Sequence, residues 1–110
     1  MCAAKEIGAL NTQGMQAMGR GDYMNAEFML HQALRKATAL GAEGYTAKIQ
    51  NNLALILAAQ GKHPEAARLF RAALDVLERK TGGNNRLCES IRNNIEAVGD
   101  AASASPRLAA

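Results

Sequence analysis

The feature of this sequence that most constrains its fold is an internal repeat. The segment GDYMNAEFMLHQAL, starting at Gly21, aligns without gaps with GKHPEAARLFRAAL, starting at Gly61, 40 residues later. A second echo pairs Asn51-Asn52-Leu53 with Asn93-Asn94-Ile95, 42 residues later. The chain therefore holds about two and a half copies of one unit. Tandem units of this length predict a short solenoid in which each unit packs on its neighbour.

Each unit has the pattern of two helices joined by a tight turn. In the second unit, apolar residues recur every three to four positions before and after Gly61, which can end a helix in the left-handed conformation. Pro64 suits the first turn of the following helix, where its missing N–H has no intrahelical partner. In the first unit, Asp22 is the predicted N-cap of the second helix. Beyond Gly82-Gly83, a last apolar stripe predicts a fifth helix; it consists of Leu87, Ile91, Ile95 and Val98.

Composition supports a single all-α domain. The 110 residues are 48% hydrophobic but only 4% aromatic, with no Trp, which suits closely packed helices better than a β-sandwich. We expect the domain to span residues 1–100, with repeats at about 6–40 and 44–81 and a capping helix at about 85–99. Residues 101–110 are expected to form a flexible tail.

Charge and cysteine content narrow the functional classes. The formal net charge is +3, and basic residues are interleaved with acidic ones, which is a weak indication of an acidic partner. The sequence shows no signal-peptide pattern and no apolar run near the ~18 residues that span a bilayer, so we expect a cytoplasmic protein with no membrane association. Cys2 and Cys88 cannot form a disulfide framework or a metal site alone, and Cys88 is expected to be buried.

The stretch NNLALILAAQGKHPEAARLFRAALDVLERKTG, Asn51 to Gly82, resembles the tetratricopeptide repeats, and among them the long-repeat variant of kinesin light chains. The shared features are the paired asparagines and the lengthened second helix before a glycine turn. The resemblance covers roughly Ile7 to Val98, although the usual period is 34 residues and the usual bulky aromatic of the first helix is missing. It implies a short right-handed α-α superhelix of two helix-turn-helix repeats plus a C-terminal capping helix.

The resemblance also implies a concave groove, lined by the first helix of every repeat, that binds a peptide or protein segment. An asparagine offers a donor and an acceptor, so a ladder of asparagines can pair with the backbone of an extended peptide. Methionines such as Met18 would add adaptable apolar contact. On the register of the turn glycines, the groove positions carried over are Asn11, Met15, Lys48, Asn51, Asn52, Leu55, Ser90 and Asn93.

The adjacent asparagines admit a second interpretation. Asn51 and Asn52 point about 100° apart on a helix, so they cannot have the same role. One of them can tie neighbouring repeats together by bonding to backbone at a helix end, and the same alternative applies to Asn94. Met15 can likewise be a core residue and Lys48 a solvated one.

Other chemistries are not expected. Some relatives bind a C-terminal carboxylate with a clamp of Lys and Arg, but here only Asn52 fits that pattern. His31 and His63 have no Cys, Asp or Glu at metal-ligand spacing, and no phosphate loop or catalytic triad is present, so we expect no enzyme activity, metal or cofactor. Nucleic-acid binding is not expected either, because the sequence lacks both a continuous basic stripe and stacking aromatic residues.

The sequence thus predicts an adaptor that binds a peptide or protein segment in its concave groove. The alternative is a self-associating structural scaffold, a homo-oligomer formed through the terminal helices. It stays open because an array of two and a half repeats leaves its edges exposed.

Overall fold

The computed structural model describes residues 2–104, with side chains for residues 2–99. Together these residues form five α-helices, which confirms the all-α prediction: α1 Ala3–Gly19, α2 Tyr23–Leu40, α3 Glu43–Ala59, α4 His63–Thr81 and α5 Arg86–Ala104. None of these helices combines the length and the apolar character needed to cross a membrane.

The end of α5 differs from the expected boundary. The capping helix was expected to stop at about residue 99, but it continues to Ala104. Residues 101–104, which we assigned to a flexible tail, are therefore helical; their alanine-rich sequence has high helix propensity. The remaining tail positions, 105–110, lie outside the described residues.

The turns between helices follow the predicted local chemistry. Gly21 and Gly61 adopt φ angles of 79° and 81°, a left-handed conformation that costs other residues roughly 1–2 kcal/mol. Asp22 is the N-cap of α2, as predicted, and its carboxylate accepts a hydrogen bond from the backbone N–H of Asn25 at 3.4 Å. The equivalent N-cap of α4, Lys62, makes no side-chain capping bond.

Two apolar clusters hold the array together, and α3 contributes to both. The first cluster lies between α1, α2 and α3 and includes Ile7, Leu30, Ile49, Leu53 and Ile56. The second lies between α3, α4 and α5 and includes Ala47, Ala54, Phe70, Leu77, Cys88 and Ile91. Helix α3 is thus buried on two faces, which makes it the central element of the fold. The expected burial of Cys88 is confirmed, since its side chain is fully enclosed.

The first helix, α1, lacks the apolar face that α3 turns toward the preceding unit. Leu53 and Ile56 belong to the first apolar cluster. Their equivalents 40 residues earlier are Gln13 and Gln16, and both are exposed. The N-terminal side of the array is therefore closed by polar side chains.

The last helix, α5, lacks the apolar face that α3 turns toward the following unit. Ala47 and Ala54 of α3 are fully buried in the second cluster. Their equivalents 42 residues later are Glu89 and Glu96, and both are exposed. The outer side of α5 is therefore charged where the equivalent side of α3 is apolar, and covering it with a further helix would place two carboxylates in the contact.

Candidate functional site

The paired asparagines connect the first helices of successive units. Asn52 on α3 donates a hydrogen bond from Nδ2 to Oδ1 of Asn11 on α1, at 2.8 Å. Asn94 on α5 donates in the same way to Oδ1 of Asn51 on α3, at 3.2 Å. We call these two bonds the amide ties. Because Asn51 and Asn52 are about 100° apart, one reaches the following helix and the other the preceding helix.

The position of Asn51 corrects one expectation. We expected this residue to lie outside the core, with its amide available to a bound peptide. Only 8% of its surface is exposed, and its Oδ1 is occupied by Asn94. The tie also differs from the foreseen form, since it joins two side chains between neighbouring helices instead of a side chain and backbone at a helix end.

The other expected groove residues divide by exposure. Lys48, Ser90 and Asn93 are exposed, whereas the remaining ones are half-buried. Among the half-buried residues, Asn11 and Asn52 are bonded to each other in the first amide tie. The half-buried apolar positions are Met15 and Leu55; Met15 packs with Met18 against the first core cluster, and Leu55 packs against the second.

A small apolar pocket opens between α3 and α5, next to the second amide tie. Its volume is about 180 Å³. We call it the α3/α5 pocket; it is lined by Leu55 and Ala58 of α3, His63 and Phe70 of α4, and Asn94, Ala97 and Val98 of α5. Within the described structure, Nδ1 of His63 is buried here without a hydrogen-bond partner. Of these residues, only Leu55 was selected from the sequence as a groove contact.

The equivalent place between α1 and α3 carries larger side chains. Forty residues before Ala58 and His63, the first unit has Met18 and Tyr23, and both pack partly buried against the first core cluster. On the other wall, Leu55 of α3 occupies the place of Ala97 on α5. The alignment of the units could therefore have revealed the pocket, because the junction between α3 and α5 has small residues where the junction between α1 and α3 has large ones.

Two helical hairpins and a capping helix, with their first helices tied side by side, define the class of α-helical repeat proteins. A family model described as Tetratricopeptide repeat matches residues 6–94. The chain belongs to the tetratricopeptide repeat family, and the resemblance predicted from its sequence is confirmed.

A solved structure shares this fold. BtubC (BKLC) from P. vanneervenii matches with a TM-score of 0.81 and 23% sequence identity. The match covers 89% of this chain but 39% of that chain, so this protein spans well under half of the length of BtubC. A comparison with curated proteins finds no match.

Proposed function

We propose that this protein is an interaction adaptor that binds an extended segment of a protein partner along α1, α3 and α5. Tetratricopeptide repeats generally mediate protein–protein interaction. The observation that carries the proposal for this chain is the α3/α5 pocket, an apolar hollow beside the expected groove residue Leu55.

The size and lining of the pocket indicate what it holds. A cavity of ~150 Å³ lined by apolar side chains accepts a benzene-sized molecule, and the α3/α5 pocket measures about 180 Å³. One aliphatic or aromatic side chain of the partner fits this space. Burial of such a side chain against Leu55, Phe70 and Val98 would contribute roughly 1.5–3 kcal/mol.

His63 supplies a polar point inside this apolar lining. Its Nδ1 is buried and has no partner among the described residues. Leaving such an atom unpaired costs roughly 1–3 kcal/mol. Because less than 1 Å² of Nδ1 is accessible, a bound segment does not reach this atom unless the His63 ring turns, so the pocket contributes through apolar contact.

The exposed polar positions suit the rest of the segment. Asn93 is the counterpart of Asn51, but no further first helix follows α5 in the described chain, and its amide is exposed. It lines one depression together with Ser90 and Arg86. Glu89 accompanies Arg86 in this depression, so the preference for acidic residues in the partner rests on the exposed Lys48 and on the net charge of +3.

The role of the α3/α5 pocket in binding can be tested by introducing the larger side chains that occupy the junction between α1 and α3. Peptides that bind the wild-type chain would first be selected from a random display library. Ala97→Leu or Ala58→Met should then weaken their binding roughly tenfold to a hundredfold, because the lost apolar burial is of that size. Ala39→Leu, an equal change at an exposed position of α2, is the matched control. Equal binding by the filled variants would place the site elsewhere.

The contribution of the groove asparagines is tested at the exposed Asn93. Changing Asn51 and Asn93 together to Asp would place a carboxylate at a buried tie, so a loss of binding could reflect a loss of stability. Asn93→Asp alone changes an exposed amide and leaves both ties intact. We expect this variant to keep its helicity and to lose affinity for an acidic segment.

The alternative of a scaffold joined through terminal helices has less support. The exposed sides of α1 and α5 present glutamines and glutamates, among them Gln13, Gln16, Glu89 and Glu96. Stacking these ends would bury polar groups without evident partners. A light-scattering concentration series with wild type and Gln13→Glu/Gln16→Glu would test it: these changes would place carboxylates opposite Glu89 and Glu96, so wild-type association that they weaken would favour end-to-end contacts.

Two further proposals complete the assignment. The family is typically non-catalytic, and we propose that this chain has no enzymatic activity. We also propose a cytoplasmic location, which the unpaired thiols of Cys2 and Cys88 support because a reducing compartment keeps cysteines unpaired. Fractionation of cells of the source organism would test the location.

A further inference from the structure

The convex side of the molecule carries two exposed apolar residues that the proposed groove does not use. Met24 is 85% exposed and Phe28 is 60% exposed. They are four residues apart on α2 and therefore lie on one face. Their equivalents in α4 are Pro64 and Arg68, so the repeat pattern itself does not require apolar side chains at these positions.

An apolar hollow lies beside this pair, between α2 and α4. Its volume is about 380 Å³, and its floor is formed by Leu34, Leu53, Leu57 and Leu69. We call it the convex hollow. Its rim is polar and consists of Glu27 and His31 on α2 with Lys62, Glu65 and Arg68 on α4. Phe28 stands next to this rim, because it precedes His31 by three residues on the same helix.

A face that has both a projecting aromatic side chain and an apolar hollow is complementary to itself. A twofold axis brings the same patch of two copies together, so each copy can insert its aromatic side chain into the hollow of the other. The rim charges fit the same arrangement. Glu65 and Arg68 have opposite charges and lie three residues apart on α4, so a twofold axis between them pairs each Glu65 with Arg68 of the partner subunit.

We propose that this chain forms a twofold dimer through the convex face of α2 and α4, with Phe28 of each copy seated in the convex hollow of the other. This interface differs from stacking through the terminal helices. It leaves the first helices of both copies accessible, so a dimer presents two grooves and can bind a multivalent partner with increased avidity.

The proposal is tested by sedimentation velocity on the full chain across a concentration series. Wild type should shift from monomer to dimer as concentration rises, whereas Phe28→Arg, which copies the second unit, should sediment as a monomer throughout. Leu40→Arg is the matched control, because Leu40 is an exposed apolar residue of the same helix, at 54% exposure, outside the patch. It should dimerise like wild type. Circular dichroism should show equal helicity for all three chains.

Swapping the charged residues of α4 provides a second test of the dimer. Glu65→Arg and Arg68→Glu should each weaken the dimer by placing like charges opposite one another, and the two changes together should restore it. A wild-type chain that stays monomeric at every concentration overturns the proposal. So does a dimer that Phe28→Arg leaves unchanged, since its contact surface then lies elsewhere.

Discussion

Asn94 donates its side-chain hydrogen bond to Asn51 at 3.2 Å, and Asn52 repeats the same contact with Asn11 at 2.8 Å. In each case, the second asparagine position of one unit bonds to the first position of the unit before it. One bond used at both junctions holds α1, α3 and α5 in the same relative register. The ties therefore set the spacing of the first helices that line the proposed groove.

Removal of the donor in the second tie should destabilise the protein. In Asn94→Ala, Oδ1 of Asn51 stays buried and loses its partner, which costs roughly 1–3 kcal/mol. Urea denaturation followed by circular dichroism measures the change. Asn93→Ala, at the neighbouring exposed position, is the control and should stay within about 0.5 kcal/mol of wild type. Equal stability of the two variants would show that the tie contributes nothing.

The ties also show which parts of the structure could be predicted from the sequence. The helices, the glycine turns and the Asp22 cap depend on local chemistry, so the pattern of the chain was enough for them. The repeat register made Asn11, Asn51 and Asn93 equivalent, and the first two accept the same type of hydrogen bond. It could not show which neighbouring helix each amide meets, because that depends on how the units pack side by side.

The α3/α5 pocket was missed for a related reason. A pocket forms where side chains of two units together fail to fill a volume, so it cannot be recognised within one unit. Only a comparison of Ala58 and Ala97 with Met18 and Leu55, residues of the other junction, contains that information. The exposed Asn93 was predicted as a groove residue, and its contact with a partner stays a prediction.

Gly14 should not tolerate alanine, although alanine is the better helix former. An added Cβ would lie 2.7 Å from Cδ2 of Leu30 and 3.3 Å from the carbonyl oxygen of Ala26. Leu30 is fully buried and has little room to move, so we expect Gly14→Ala to lose roughly 1–3 kcal/mol. Gly8→Ala is the control on the same helix: nothing lies within 4 Å of its added Cβ. That variant should gain up to about 1 kcal/mol in chemical denaturation; a gain at both sites would contradict the close packing of α1 on α2.

The N-terminus of α4 should be improved by copying the first unit. Asp22 caps α2, whereas its equivalent Lys62 makes no capping bond. Lys62→Asp should raise the free energy of unfolding by about 0.5–1 kcal/mol, because a carboxylate can accept from the free N–H groups and interacts well with the helix dipole. Asp22→Ala should lower it by roughly 0.5–2 kcal/mol. Thermal unfolding of both variants checks the pair of expectations.

The polar end of α5 should be what limits the length of the array. Glu89 and Glu96 occupy the places where α3 has Ala47 and Ala54, the small residues that pack in the second core cluster. Glu89→Ala/Glu96→Ala, made in a Phe28→Arg background, should therefore expose a face that other helices can cover, and the chain should begin to associate with rising concentration. The corresponding Gln variants keep the face polar and should stay monomeric in sedimentation velocity. If the Ala variant also remains monomeric, the two carboxylates are not what closes this end, and the shape of the α5 surface has to account for it instead.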